Sequence, residues 1–226
     1  MSGRFAVAIP AFDAAESIAA VVRRTLAMGA EVVVVDDGSR DGTGDVARSC
    51  GVTVLTHPVN LGKGRALKTA FDHLFASGYE AVVTIDADGQ HPPEEMPKLL
   101  APWREGADLV LGTRAHLYGA MGRVRRASNE TSSWLISHVA GAKFPDCQTG
   151  YRLYTRRLIE TIGFPEPRFE AESAVLVRAV RQGFRVVGVP VRLDEADGRG
   201  TSHYRPVVDS LRIAFAVARA RFEAPS

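Results

Sequence analysis

Hydrophobic positions along the 226-residue chain fall into two alternating patterns. Short, near-continuous runs rich in β-branched residues occur at FAVAIP (5–10), EVVVVDD (31–37), VTVLTH (52–57), AVVTIDAD (81–88), DLVLGTR (108–114) and RVVGVPV (185–191). Runs of this kind predict strands buried on both faces of a largely parallel sheet. Between them, apolar positions recur at helical spacing. Ile18, Val21, Val22 and Leu26 follow Asp13 and Glu16, a pair spaced as a capping box. The pattern also predicts a short helix opened by Asp41-Gly42-Thr43, an amphipathic helix over 64–75, and another begun by Pro92-Pro93-Glu94-Glu95, where proline and acidic residues both suit a helix start. Strands alternating with helices make a layered α/β domain.

After Arg114 the pattern changes. An arginine-rich helix is expected over about 123–140, then a turn-rich stretch over 144–154 and a helix near 170–182. A final helix from about Pro206 follows the charged, glycine-rich DEADGRGTSH. No repeat, low-complexity tract or linker interrupts the chain, so residues 1–226 read as one domain. Trp103 and Trp134 sit among apolar neighbours at helical spacing and read as core. In the last helix Val207, Val208, Leu211, Ala214, Phe215 and Ala218 share a face, with Arg212, Arg219 and Arg221 around it. Packing against the domain is the first reading of that helix, and an interfacial helix on anionic lipid is the second.

Composition adds limits. With 46% hydrophobic and 24% charged residues, the chain is an ordinary globular one. A net charge of +2 gives no argument for nucleic acid, although the positive charge is mostly arginine, whose planar fork suits phosphate. Cys50 and Cys147 are far apart and lack metal-ligand spacing, which fits a reduced, cytoplasmic protein. The N-terminal apolar run is too short for a signal peptide. No segment reaches the roughly 20 apolar residues that span a bilayer. The expectation is a protein that is soluble or peripheral on a membrane face.

Ligands of open α/β sheets bind outside the carboxyl ends of the strands. Three turns fall at those ends here: Asp36-Asp37-Gly38-Ser39, Asn60-Leu61-Gly62-Lys63-Gly64 and Asp86-Ala87-Asp88. Asp37 offers acceptors to a base or ribose, and the second turn offers backbone N–H groups and Lys63 to a phosphate. Acidic turns would repel a diphosphate unless a divalent cation stood between them. The all-oxygen set Asp86, Asp88 and Gln90 suits Mg²⁺ or Mn²⁺. Singly, each Asp-Gly turn is equally ordinary turn chemistry; their recurrence at successive strand ends favours a site. His91 reads as a loop residue beside the metal, not a ligand. No GxGxxG follows the first strand, which disfavours a dinucleotide oxidoreductase.

The order VAIPAFD, VVVVDDGS with DGT, NLGKGRALKTAF, VVTIDADGQHPPEEMPKLL, DLVLGTR, CQTGYRLY and GVPV resembles the inverting family 2 glycosyltransferases, in particular the dolichol- and polyprenol-phosphate sugar synthases. The resemblance implies a GT-A fold, a Rossmann-like nucleotide-diphospho-sugar transferase with a mostly parallel mixed central sheet. It also implies a donor- and metal-binding half over about 1–114 and an acceptor-binding half over about 115–226. The donor would be a GDP- or UDP-linked sugar and the acceptor a polyprenyl phosphate, reached by peripheral membrane contact or through a membrane-anchored partner. Pro10, Phe12, Val35, Asp37, Lys63, Asp86 and Ala87 would surround the donor, with Asp86, Asp88 and Gln90 on the metal. Asp88 and Arg114 would carry catalysis. Arg114, Arg125 and Asn129, with Arg199, Ser202 and His203 of the late loop, would meet the acceptor. Asp13-Ala14 stand where the family has Asn-Glu, and His203 stands where it has lysine.

A phosphate acceptor is already anionic and needs no general base. Were the acceptor a sugar or small-molecule hydroxyl, Asp146 or Glu172 would be the candidate base; otherwise Asp146 caps a loop and Glu172 lies on a solvated helix face. A nucleotide-sugar-binding subunit without turnover is the non-catalytic alternative.

Overall fold

The computed structural model describes residues 3–114, 116–117, 123–194 and 206–222; the side chains of 123–128, 206–211 and 222 are outside the description. Seven strands form one sheet: β1 (Phe5–Ala11), β2 (Glu31–Asp36), β3 (Thr53–Thr56), β4 (Ala81–Thr84), β5 (Leu109–Thr113), β6 (Arg152–Thr155) and β7 (Val186–Pro190), in the order β3-β2-β1-β4-β6-β5-β7. β6 runs antiparallel to β4 and β5, and the other neighbours pair in parallel. The sheet therefore takes strands from both halves of the sequence and matches the expected mostly parallel, mixed arrangement.

Alternate residues of each strand enter opposite cores, the period-2 geometry of a pleated strand. Ala6, Ala8, Val33, Val35 and Val82 join one core with helices α3 (Lys63–Ala76), α5 (Arg123–Ala140), α6 (Arg156–Ile162), α7 (Glu170–Arg181) and α8 (Pro206–Phe222). Val7, Ile9, Val32, Val34 and Val83 join the other with α1 (Ile18–Ala27), α2 (Thr43–Ser49) and α4 (Met96–Arg104). Two covered faces explain why the strands lack polar alternation.

Four details differ from the sequence expectations. β6 and α6 lie in or beside the stretch read as turns, because a four-residue strand carrying Arg152 gives no clean apolar run. Asp13 and Glu16 form no capping box: Ser17 is the N-cap and makes no side-chain cap bond, while Asp13 occupies a loop at φ 47°. Trp134 is 66% exposed and stacks on His138 one helical turn on, because α5 turns Asn129, Ser133, Ile136 and Ala140 inward instead. Trp103 does pack, edge-on to Phe5 at 6.4 Å. Finally, α8 packs on the domain, as its first reading held, but through the opposite stripe: Ile213, Ala216, Val217 and Ala220 are buried and Phe215 is 75% exposed. No helix among the described residues is long and apolar enough to cross a membrane.

Candidate active site

The ends of β1 and β2 open into two loops that hydrogen-bond to each other. Ser39 Oγ accepts from Asp13 N at 3.0 Å, Thr43 Oγ1 from Ala14 N at 2.8 Å and Asp41 Oδ2 from Ala15 N at 2.9 Å. Asp13 Oδ1 returns the link by accepting from Arg40 N. This stitching holds Asp13 in the left-handed region, which an aspartate tolerates better than most residues but still at a cost. Pro10 and Phe12, half-buried, flank the end of β1.

Asp37 at the end of β2 is nearly enclosed, at 3% exposure. Its Oδ1 accepts from Leu61 N at 2.9 Å and faces His57 Nδ1 at 2.7 Å, while Oδ2 accepts from Gly62 N at 2.7 Å. Asp37 thus clamps the turn that starts α3, and Lys63 is the first residue of that helix. Gly62 has φ 99°, and the Pro167 carbonyl stands where a β-carbon would be, so only glycine fits there.

From the start of α3 the Lys63 ammonium bridges Asp86 Oδ1 at 2.6 Å and Glu172 Oε2 at 2.9 Å. Asp86 lies just past β4 and Glu172 in the first turn of α7, so three distant elements meet in this contact. Burial works against the Lys63 charge, but Asp86 and then Glu172 outweigh it and raise the ammonium above the ordinary lysine value. Burial also disfavours the Asp86 carboxylate, and the Lys63 charge overrides it, leaving Asp86 below the usual aspartate range. Asp88 moves the other way: burial, then the charge of Asp86, raises its carboxyl. Burial pushes His91 down to about 4, so its ring is neutral near pH 7. That ring lies 5.4 Å from Tyr151, and its buried Nδ1 makes no hydrogen bond among the described residues.

The turn 146–150 closes the site from the side of β6. Gly150 lies against Asp86: a β-carbon built on it would stand 2.6 Å from Oδ1 and nearer still to Oδ2. Its carbonyl accepts from Thr84 Oγ1 at 2.9 Å, which pins the turn to β4. Arg152, fully buried, donates from Nε to Thr149 O, from Nη1 to Glu172 O and from Nη2 to Cys147 O, each at 2.7 Å. Arg114, at the end of β5, grips Asp146 with Nε at 2.7 Å, Nη2 at 3.0 Å and its backbone N at 2.9 Å. Burial opposes the Asp146 charge, yet the Arg114 hydrogen bonds and charge hold its carboxyl below the ordinary value. Arg114's charge also reaches Asp86, Asp88 and His91.

The structure thus gathers Lys63, Asp86, Asp88, Arg114, Asp146 and Glu172 into one charged cluster. Several expectations need correction. Val35 is wholly buried in the core and paired with Pro10 across the sheet, so its side chain packs between layers. Asp37 places its carboxylate on the Leu61–Gly62 turn and on His57, and so also fixes the start of the helix that carries Lys63. Asp146 is fully enclosed and ion-paired, a poor proton acceptor, and Glu172 is buried in the Lys63 bridge, not on a solvated face. Ala87 is buried, with its carbonyl accepting from Ser17 Oγ at 2.6 Å. Gln90 N donates to Asp88 Oδ1, and Asn129 is buried on α5. Arg199, Ser202 and His203 lie outside the described residues, as does the Arg125 side chain. The CQTGYRLY motif does not by itself mark Gly150 or Arg152 as site residues. An arginine inside an otherwise aromatic and apolar run was the available signal for Arg152, because arginine is rarely buried unpaired.

Two neighbouring carboxylates, Asp86 and Asp88, supply the oxygen donors that a hard divalent cation takes. Among the described residues no group of three histidine, cysteine, aspartate or glutamate ligands is assembled. Asp86 and Asp88 would therefore leave part of the ion's shell to diphosphate oxygens and water, the usual arrangement for Mg²⁺ at phosphate-transfer sites.

The sequence pattern of glycosyl transferase family 2 matches residues 6–163. The chain belongs to that family. This glycosyltransferase is 32% identical over 211 residues to the polyprenol monophosphomannose synthase of Mycolicibacterium smegmatis, covering 86% of this chain and 78% of the relative. It is 35% identical over 184 residues to the dolichyl-phosphate hexose transferase of Haloferax volcanii (80% and 78%) and 33% over 203 residues to the undecaprenyl-phosphate mannosyltransferase of Micrococcus luteus (84% and 83%). Its fold is GT-A. It superposes with a TM-score of 0.76 on the glucosyl-3-phosphoglycerate synthase of Mycobacterium tuberculosis, solved with Mn²⁺, uridine diphosphate and phosphoglyceric acid, at 22% identity over 100% of this chain and 81% of that one.

Proposed function

We propose that this glycosyltransferase moves a sugar from a nucleotide-diphosphate sugar to a polyprenyl phosphate, with inversion at the anomeric carbon and with Mg²⁺ or Mn²⁺ at Asp86 and Asp88. The observation that carries this reading is the charged cluster past β4, where Lys63 stands 2.6 Å from Asp86 and Asp88 is raised beside it. The named activities of the three relatives support the acceptor class, and the solved relative with Mn²⁺ and uridine diphosphate supports the donor class.

In the reaction an oxygen of the acceptor phosphate forms a bond to the anomeric carbon as the bond to the nucleoside diphosphate breaks. A divalent cation at Asp86 and Asp88 would supply Lewis-acid neutralisation of the departing diphosphate. Lys63 adds a fixed ammonium at the same place, and Asp37 keeps its turn in position. Arg114 sets positive charge near both anions, held by Asp146, so that bringing two anions together is a matter of prearranged charge. We assign Arg125, Asn129, Arg199, Ser202 and His203 to the acceptor phosphate. A hydroxyl acceptor would call for a carboxylate base, and both candidates, Asp146 and Glu172, are engaged in buried ion pairs. The exposed Phe215, with exposed Arg212, Arg219 and Arg221 on the same helix, gives the domain a surface suited to the membrane that holds such an acceptor. Incubating the protein with labelled UDP- and GDP-sugars tests the reading, with polyprenyl phosphate or soluble hydroxyl acceptors offered in parallel. Label in the lipid phase alone is expected; label only on a hydroxyl acceptor would overturn the proposed acceptor.

A further inference from the structure

An ammonium 2.6 Å from Asp86 needs no second anion, yet Glu172 reaches it at 2.9 Å with its own side chain only 9% exposed. Enclosing another carboxylate there costs free energy that must be repaid locally. Glu172 is also anchored from behind. Arg152 Nη1 holds its backbone carbonyl at 2.7 Å, and Arg152 Nε stands 3.7 Å from Oε1. Oε1 itself is buried and makes no hydrogen bond among the described residues. The carboxylate thus has one short hydrogen-bonded partner, Lys63, and a second, longer charge partner in Arg152.

Lysine has three N–H donors on one flexible stem. With Asp86 as its only anion, Lys63 would settle fully on that carboxylate, where an incoming divalent cation must compete with it. A second fixed anion divides the ammonium's hydrogen bonds and leaves a third N–H for a diphosphate oxygen. Gly150 crowds Asp86 on another side, so Asp86 has little freedom to turn away from Lys63. We propose that Glu172 is a positioning residue of the donor site: it holds the Lys63 ammonium beside Asp86, so that Asp86 keeps an oxygen for the divalent cation and Lys63 keeps a donor for the diphosphate. This role rests on reading Asp86 and Asp88 as the metal and diphosphate site. It differs from that of a general base because Glu172 acts on the cation and diphosphate through Lys63, with Arg152 as its second charge partner.

A double-mutant cycle separates these roles without requiring turnover. The wild type, Glu172→Gln, Lys63→Met and the double variant are titrated with Mn²⁺ at fixed UDP, and again at fixed GDP, by calorimetry. Glu172→Gln is expected to raise the half-saturating Mn²⁺ concentration about tenfold, the order of a lost charge-assisted hydrogen bond. In the Lys63→Met background the same change is expected to alter it by less than about threefold, since the partner is already gone. Glu172→Asp keeps the charge and should fall between wild type and Glu172→Gln; it also serves as the readout if Glu172→Gln does not fold. Equal losses in both backgrounds would mean that Glu172 acts directly, and no loss in either would remove its role; both overturn the proposal. A wild type that binds neither nucleotide in a Mn²⁺-dependent way would instead overturn the donor-site reading on which the proposal stands.

Discussion

Replacing Gly150 by alanine adds one methyl group at the most crowded point of the site. Gly150 is not among the glycines with positive φ, so its need for glycine comes from space, not backbone conformation. The added carbon would stand 2.6 Å from Asp86 Oδ1, against about 3.4 Å for ordinary contact, and nearer still to Oδ2. At Oδ1 alone the shortfall is 0.8 Å. The turn cannot retreat easily, because Thr84 Oγ1 holds the Gly150 carbonyl and Gly112 N holds the Tyr151 carbonyl at 2.8 Å. Asp86 must therefore swing by about 1 Å and loosen from Lys63. A misplacement of that size costs on the order of 10²-fold in rate. Losing the charge-assisted contact, worth roughly 1.5–3 kcal/mol, gives roughly 10- to 10²-fold. The assay is Mn²⁺-dependent sugar transfer, with kcat/KM and the half-saturating Mn²⁺ concentration measured separately and folding followed by thermal unfolding. The expected result is a cooperatively folded variant with kcat/KM down about 10²-fold and weaker Mn²⁺ binding. A folded variant within threefold of wild type on both measures would refute the claim that Asp86 needs its present place.

Arg152→Met should destabilise the domain by at least about 3 kcal/mol in urea unfolding, because it strips three carbonyls of a buried donor, each costing roughly 1–3 kcal/mol; a loss under about 1 kcal/mol would contradict this. His91 is lowered to about 4 in the fold from 6.5, so the unfolded chain takes up a proton first as pH falls. Its contribution is present above about pH 6.5 and lost toward pH 4, on the order of 3 kcal/mol, and His91→Phe should flatten that part of the stability profile of the metal-free protein; an unchanged acid slope would show that the ring does not stay neutral. Phe215→Asp should cut co-sedimentation with anionic vesicles at least fivefold, since burying a phenylalanine is worth roughly 1.5–3 kcal/mol; unchanged binding would remove α8 from the membrane surface. Truncating α8 is a poorer test, because Ile213, Ala216, Val217 and Ala220 belong to the core.

The strands of the parallel region were legible because both faces of the sheet are covered, which turns each strand into an unbroken apolar run. β6 was not, since Arg152 in its first position and the turn residues before it leave no unbroken apolar run. The acidic and glycine-rich turns do fall at the strand ends, and Lys63 and Asp86 from two of them meet there. Their internal division of labour was hidden, because it depends on contacts between residues far apart in sequence. Asp37 reads like a ligand residue, yet its partners are Leu61, Gly62 and His57. Asp146 reads like a base until Arg114 is found on both its oxygens. The helix facing of α8 was inverted because apolar residues occupy two stripes, and periodicity alone does not say which one the domain covers.

Asp88 offers the most direct measurement of a metal-held diphosphate at the end of β4. Labelled sugar transfer from UDP- and GDP-sugars to polyprenyl phosphate is followed for wild type and Asp88→Asn, with Mn²⁺ supplied or rigorously chelated. The expected result is transfer by the wild type that needs the metal, and a folded Asp88→Asn variant slower by at least about 10³-fold, matching the several kcal/mol that a bound cation contributes to charge stabilisation. Wild-type rates from the chelated enzyme or from Asp88→Asn would contradict it.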